Sequence, residues 1–148
     1  MEAIVIKPNL DFDIVKLQKE NILKQLQEIV GGLIEVPYLG EVFSGFNIVT
    51  VINEEGKLIN DFKPSMALED EKGRIIDLVY GPVVLLSQDD EGNFKGLDTS
   101  QITLFLRTLL VANNYGAVNR ETNEKCVFFG FPFKLNIESI INNLFDEN

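Results

Sequence analysis

Leu26-Gln27-Glu28-Ile29-Val30-Gly31-Gly32-Leu33-Ile34-Glu35-Val36 reads as the end of an amphipathic helix, a double-glycine stop and the start of a strand. Leu26, Ile29 and Val30 recur at helical spacing. Gly31-Gly32 ends the helix because glycine takes the left-handed conformation of a helix C-cap at little cost. A second stretch, Ile52-Asn53-Glu54-Glu55-Gly56-Lys57-Leu58, reads as a strand, a tight acidic turn with Gly56 free to take positive φ, and a returning strand. Together with a strand run between helices, these segments predict an α+β fold. It consists of a small, mostly antiparallel sheet packed against two main helices, with an added C-terminal hairpin and helix. Both stretches specify conformation, and neither carries a reaction.

Working outward, residues 3–7 read as a strand closed by Pro8. Asp11 or Asp13 is placed to cap a helix with Ile14, Leu17, Ile22, Leu26, Ile29 and Val30 on its apolar face. Strands are expected at 33–39 and 46–52, and a return strand at 57–60. Ile75–Tyr80 and Val83–Leu86 read as two strands or one bent strand, with Gly81-Pro82 at an edge or bend. Asp89-Asp90-Glu91-Gly92 is a turn, and Asp98-Thr99-Ser100-Gln101 is a capping box opening a helix to about Ala112. Tyr115–Val118 and Cys126–Phe133 are expected to pair as a hairpin, with Asn136 capping a last helix over 137–145. At 148 residues the chain is expected to form a single domain, 1–148.

Composition excludes more than it selects. The chain has no histidine, which removes Ser-His-Asp and Cys-His nucleophile systems and histidine metal ligands. With one cysteine, Cys126, neither an intrachain disulfide nor a cysteine zinc site is available. Its apolar neighbours Val127 and Phe128 favour a small buried hydrophobe. A net charge of −10 repels phosphate backbones, so direct nucleic-acid binding is not expected. No leader and no membrane-length apolar run stands out, and a cytoplasmic location is the default expectation.

The run Leu26–Val36, then Asn53–Leu58, then Ala67-Leu68, Gly73, Asp77 and Gly81, resembles an uncharacterised domain family. That family occurs mainly in Gram-positive bacteria, their phages and plasmids, and the similarity covers roughly residues 1–110, which implies a family-like core over 1–110 and a C-terminal extension over 111–148. The resemblance implies a mobile-element setting and no established activity. Members often carry an Asn-Arg pair just before the Ala-Leu, where this chain has Ser65-Met66.

Candidate binding residues are Asn53, Glu54 and Glu55 in the acidic turn, and Phe129 and Phe131 in an aromatic run. Four phenylalanines fall within Phe128–Phe133, so one face of an alternating strand cannot hold them all. They imply either a strand buried on both faces or an exposed patch for self-association or partner binding. Ser87 to Asp98 loosely imitates a calcium loop, but its first place is serine and its twelfth is not glutamate. Gly31-Gly32 lies between helix and strand in the wrong order for a phosphate cradle. No catalytic residue, metal ligand or cofactor is assigned. The leading expectation is a non-enzymatic interaction protein, its partner a basic host protein or a second copy, with no membrane partner. The alternatives are a small-ligand or nucleotide-sequestering protein and, further off, a carboxylate- or metal-dependent enzyme.

Overall fold

Val83-Val84-Leu85-Leu86 is wholly buried, so the strand that carries it is covered on both faces. The computed structural model describes residues 1–8, 11–37, 47–59, 61–69, 75–114, 118–119, 124–125 and 127–130. The main sheet contains β1 (Glu2–Ile6), β2 (Phe12–Lys16), β3 (Ile34–Glu35), β4 (Ile48–Asn53), β7 (Val83–Gln88) and β8 (Phe94–Lys95). Its order is β2-β1-β7-β4-β3, with β8 also paired to β7, and every pairing is antiparallel. A second sheet holds β5 (Pro64–Glu69) and β6 (Ile75–Tyr80). Helix α1 spans Ile22–Val30 and helix α2 spans Thr99–Asn114.

Strand alternation sorts the core into two layers. Ala3, Val5, Val51, Val84 and Leu86 pack with Leu26 and Val30 of α1 on one face. Ile4, Ile6, Ile48, Val83 and Leu85 face the other way, against Met66 and Val79 of the second sheet, Leu97 of the loop after β8, and Phe105 of α2. The α+β expectation of a largely antiparallel sheet against two helices therefore holds. Gly81-Pro82 marks the point where the chain leaves the second sheet and enters the main one, so Ile75–Tyr80 and Val83–Leu86 are two strands.

Some expected elements differ. The segment after Asp11 is a strand, and α1 starts only at Ile22. Lys7 donates its backbone N–H to the Asp11 carbonyl at 2.8 Å, closing a hairpin whose register pairs Ile6 with Phe12. Phe12, Ile14 and Val15 suit a pleated edge, and pairing with β1 outweighs the helical spacing of the apolar residues. Ile14 consequently stays 46% exposed. Gln25 ties the start of α1 to the loop before it: its side chain accepts from Gln18 N–H and donates to the Gln18 and Glu20 carbonyls.

The expected return strand at 57–60 is instead a short 3-10 helix, Gly56–Leu58, and the partners of β4 are β7 and β3. Beyond α2, the hairpin is β9 (Val118–Asn119) against β10 (Glu124–Lys125). The next segment, β11 (Val127–Gly130), lies parallel to β5 rather than returning onto β9. Cys126, Phe131 and the helix expected at 137–145 lie outside the described residues.

Candidate functional site

Asn53 ends β4 with its side chain almost wholly buried, at 5% exposure. Its Nδ2 donates to the Val30 carbonyl at 3.0 Å, satisfying an acceptor at the end of α1. Its Oδ1 accepts the Glu55 backbone N–H at 2.8 Å, an Asx turn that bends the chain into the 3-10 helix. Asn53 therefore holds the turn in place, and Glu54 and Glu55 emerge exposed on it. Gly56 is needed for a different reason from the one expected. Its φ is not positive, but a Cβ there would stand 2.7 Å from the Tyr80 carbonyl oxygen.

This close approach forms one wall of a cleft of about 280 Å³. Glu35 of β3, Glu54 and Glu55 line it, with Ile52, Lys57, Leu58 and residues Leu78, Val79 and Tyr80 of β6. Leu58 is 76% exposed, the most exposed of the large apolar side chains among the described residues. The cleft thus combines apolar walls with acidic side chains. Of the residues singled out in the sequence, Asn53, Glu54 and Glu55 come together here. Phe129 lies on β11, and Phe131 is outside the described residues. Glu35 and Tyr80 were not anticipated: they reach the cleft through sheet pairing and the crossing from β6, which no local pattern announces.

The ring of Phe62 lies close to three glycines, Gly31, Gly56 and Gly81. A Cβ at Gly81, where φ is +80°, would lie 2.3 Å from that ring, and one at Gly31 would lie 3.5 Å from it. Ser65 and Met66, where the resemblance implies a polar pair, are fully buried. Ser65 Oγ donates to the Gly81 carbonyl at 2.5 Å, and Met66 packs in the core. In this chain the two positions serve the fold.

A second recess of about 400 Å³ is lined by Asn47, Ser87, Lys95, Asp98, Ser100, Gln101 and Leu104. Asp98 and Gln101 form the expected capping box: Gln101 N–H donates to Asp98 Oδ1 at 2.8 Å, and Asp98 N–H to Gln101 Oε1 at 2.9 Å. Gln101 Nε2 also reaches the Asn47 carbonyl and Ser87 Oγ, both at 3.3 Å. The Ser100 hydroxyl and then the Gln101 amide hold the Asp98 carboxyl below its ordinary value. Likewise Asp89, in the turn closed by Gly92, is lowered first by the Asn93 backbone N–H. Both carboxylates serve local hydrogen bonding. No buried side-chain nitrogen or oxygen lacks a partner among the described residues.

A largely antiparallel sheet packed against two helices, with a cleft lined by Glu35, Glu54 and Glu55, defines an α+β protein. Residues 1–110 match the family described as a domain of unknown function, DUF3846, and the chain belongs to that family. No curated protein matches the chain, and no solved structure does. No helix among the described residues is long and apolar enough to cross a membrane.

Proposed function

We propose that this chain is a non-enzymatic interaction protein whose cleft takes a basic, partly apolar segment of a partner protein. The observation that supports this reading is the placement of Glu35, Glu54 and Glu55 around a cleft that also exposes Leu58. Carboxylates beside an apolar wall complement a lysine or arginine flanked by aliphatic residues, and opposite charge steers such a segment in. The chain's net charge of −10 extends the same field beyond the cleft. The mobile-element setting, as a phage or plasmid accessory or anti-defence factor, is supported by the family resemblance alone. Within that setting, an acidic face suits occupation of a host protein's nucleic-acid site.

Native mass spectrometry on protein gently purified from its host, followed by a salt titration of whatever it retains, tests this reading. The expected result is a retained macromolecule whose affinity falls by about tenfold or more as salt screens the exposed carboxylates. A partner complex of equal strength at low and high salt would overturn it. A retained small mass, with a thermal shift on adding the same compound, would move the assignment to the sequestering protein.

A further inference from the structure

Strand β5 lies between two partners, β6 antiparallel on one side and β11 parallel on the other. These two partners come from different parts of the chain. The family match ends at residue 110, so β5 and β6 fall inside it and β11 falls beyond it. The register is unbroken, Val127↔Met66, Phe128↔Ala67, Phe129↔Leu68 and Gly130↔Glu69. Between Glu69 and Val127 the chain passes through β6, β7, β8, α2 and the β9–β10 hairpin. The extension therefore returns from far along the chain to reach this one edge, with α2 and β10 lying close by.

Take β11 away and the second sheet is, among the described residues, a two-stranded ribbon, marginal by itself, with the Met66–Glu69 side of β5 lacking a strand partner. An uncovered strand side presents a row of backbone donors and acceptors that templates another strand. Val127-Phe128-Phe129-Gly130 is uncharged and rich in strand-forming residues, the chemistry such an edge takes. We infer that this side of β5 is a strand-binding site and that residues 127–130 are its built-in occupant. Its partner class is an extended, uncharged apolar segment aligned parallel to β5. Tethering gives the internal segment an effective concentration on the order of millimolar. A free segment of equal affinity therefore binds only when the internal one is displaced.

Amide hydrogen exchange on the full chain reads this directly. Along a strand successive N–H groups point to opposite neighbours, so amides facing β11 interleave with amides facing β6. The expected result is protection throughout Met66–Glu69, about 100-fold or more over free exchange. Fast exchange at interleaved positions in the folded monomer would overturn the inference.

Phe128→Pro and Phe129→Pro add a second arm. One of these two neighbours donates towards β5, so one proline removes a ladder bond that the other leaves in place. That variant is expected to lose protection in β5 and to bind a labelled peptide of residues 124–130 that the unmodified chain ignores. Protection unchanged in both variants, with no peptide bound, would overturn the proposal. So would protection in the unmodified chain that grows with concentration alongside a dimer mass, since the strand would then come from a second copy. Should either proline variant unfold, the exchange pattern of the unmodified chain decides alone.

Discussion

The Asn53 side-chain nitrogen lies 3.0 Å from the Val30 carbonyl oxygen, joining the end of β4 to the end of α1. A Cβ on Gly32 would stand 2.9 Å from the same nitrogen, so the second glycine of the pair makes room for the clamp. The first glycine has a separate task. Gly31 turns the helix at φ 82° and donates its N–H to the Gln27 carbonyl at 2.9 Å. The glycine stop and the acidic turn are thus one packed unit, and the cleft loop is mounted on it.

Asn53→Ala leaves the Val30 carbonyl and the Glu55 N–H without their side-chain partners, one of them buried. Each unsatisfied group costs about 1–3 kcal/mol, so the variant should unfold at distinctly lower urea. Asn53→Asp keeps an acceptor for Glu55 but sets a second oxygen against the Val30 oxygen. It should be the less stable of the two at neutral pH. Equal midpoints for Asn53→Ala and the unmodified chain would show that the clamp adds nothing.

Gly81→Ala and Gly92→Ala separate backbone strain from crowding. Both glycines have positive φ, 80° and 84°, but a Cβ at Gly92 meets nothing within 4 Å while one at Gly81 enters the Phe62 ring. Gly92→Ala should cost only the left-handed penalty, about 1–2 kcal/mol. Gly81→Ala should cost about 1–3 kcal/mol more, because the core must also accommodate the methyl. Paired thermal melts check this, and equal losses would remove Phe62 as the cause.

Where a feature was legible in the sequence, its cause was local. The Gly31 cap, the Asp98–Gln101 box and the Asp89–Gly92 turn each close within a few residues, and each is found as expected. Segment 12–16 is ambiguous in sequence because five residues fit either period, and the partner that decides, β1, is recognised only by its pairing. The turn at Asn53 resembles a simple hairpin in sequence because the bond that sets it, from its side chain to Val30, spans 23 positions. The cleft was half legible: Glu54 and Glu55 stand out as an acidic turn, but nothing near Tyr80 marks it as the facing wall.

Gln101 is the hub of the network at the start of α2, joining the Asp98 backbone to Asn47 and Ser87. Gln101→Ala removes the donor and acceptor together in a buried setting. We expect a loss of about 1–3 kcal/mol, with Ser100→Ala costing less because its hydroxyl is exposed. Chemical denaturation of the two variants side by side checks the order, and a larger loss in Ser100→Ala would contradict it.

The carboxyls of Asp89 and Asp98 are both lowered from the ordinary 3.8. A folded-state value below the unfolded one means that the unfolded chain binds protons more readily as pH falls. Their contribution is therefore fully present above the unfolded value and is lost as pH drops through the lowered folded values. Melting temperature should fall as pH drops below about 4. Lys7, raised by its bond to Asp13, works in the opposite direction at the alkaline end, its contribution disappearing as pH rises past its folded value. Asp98→Asn should flatten part of the acid limb, and an acid limb identical in shape to that of the unmodified chain would exclude Asp98 as a source.

The cleft residues should separate by kinetics once a partner is in hand. Glu54 and Glu55 are exposed, so Glu54→Gln with Glu55→Gln should leave stability within about 0.5 kcal/mol. Exposed charges act mainly on encounter, so the double variant should slow association and flatten its dependence on salt. Leu58 is exposed and apolar, and short-range apolar contact forms only after encounter. Leu58→Ala should therefore speed dissociation and leave association nearly unchanged. Surface-immobilised binding at two salt concentrations resolves both rates for each variant. If the glutamine pair alters neither rate while Leu58→Ala alters dissociation, the partner is held by apolar contact and the acidic side chains are bystanders.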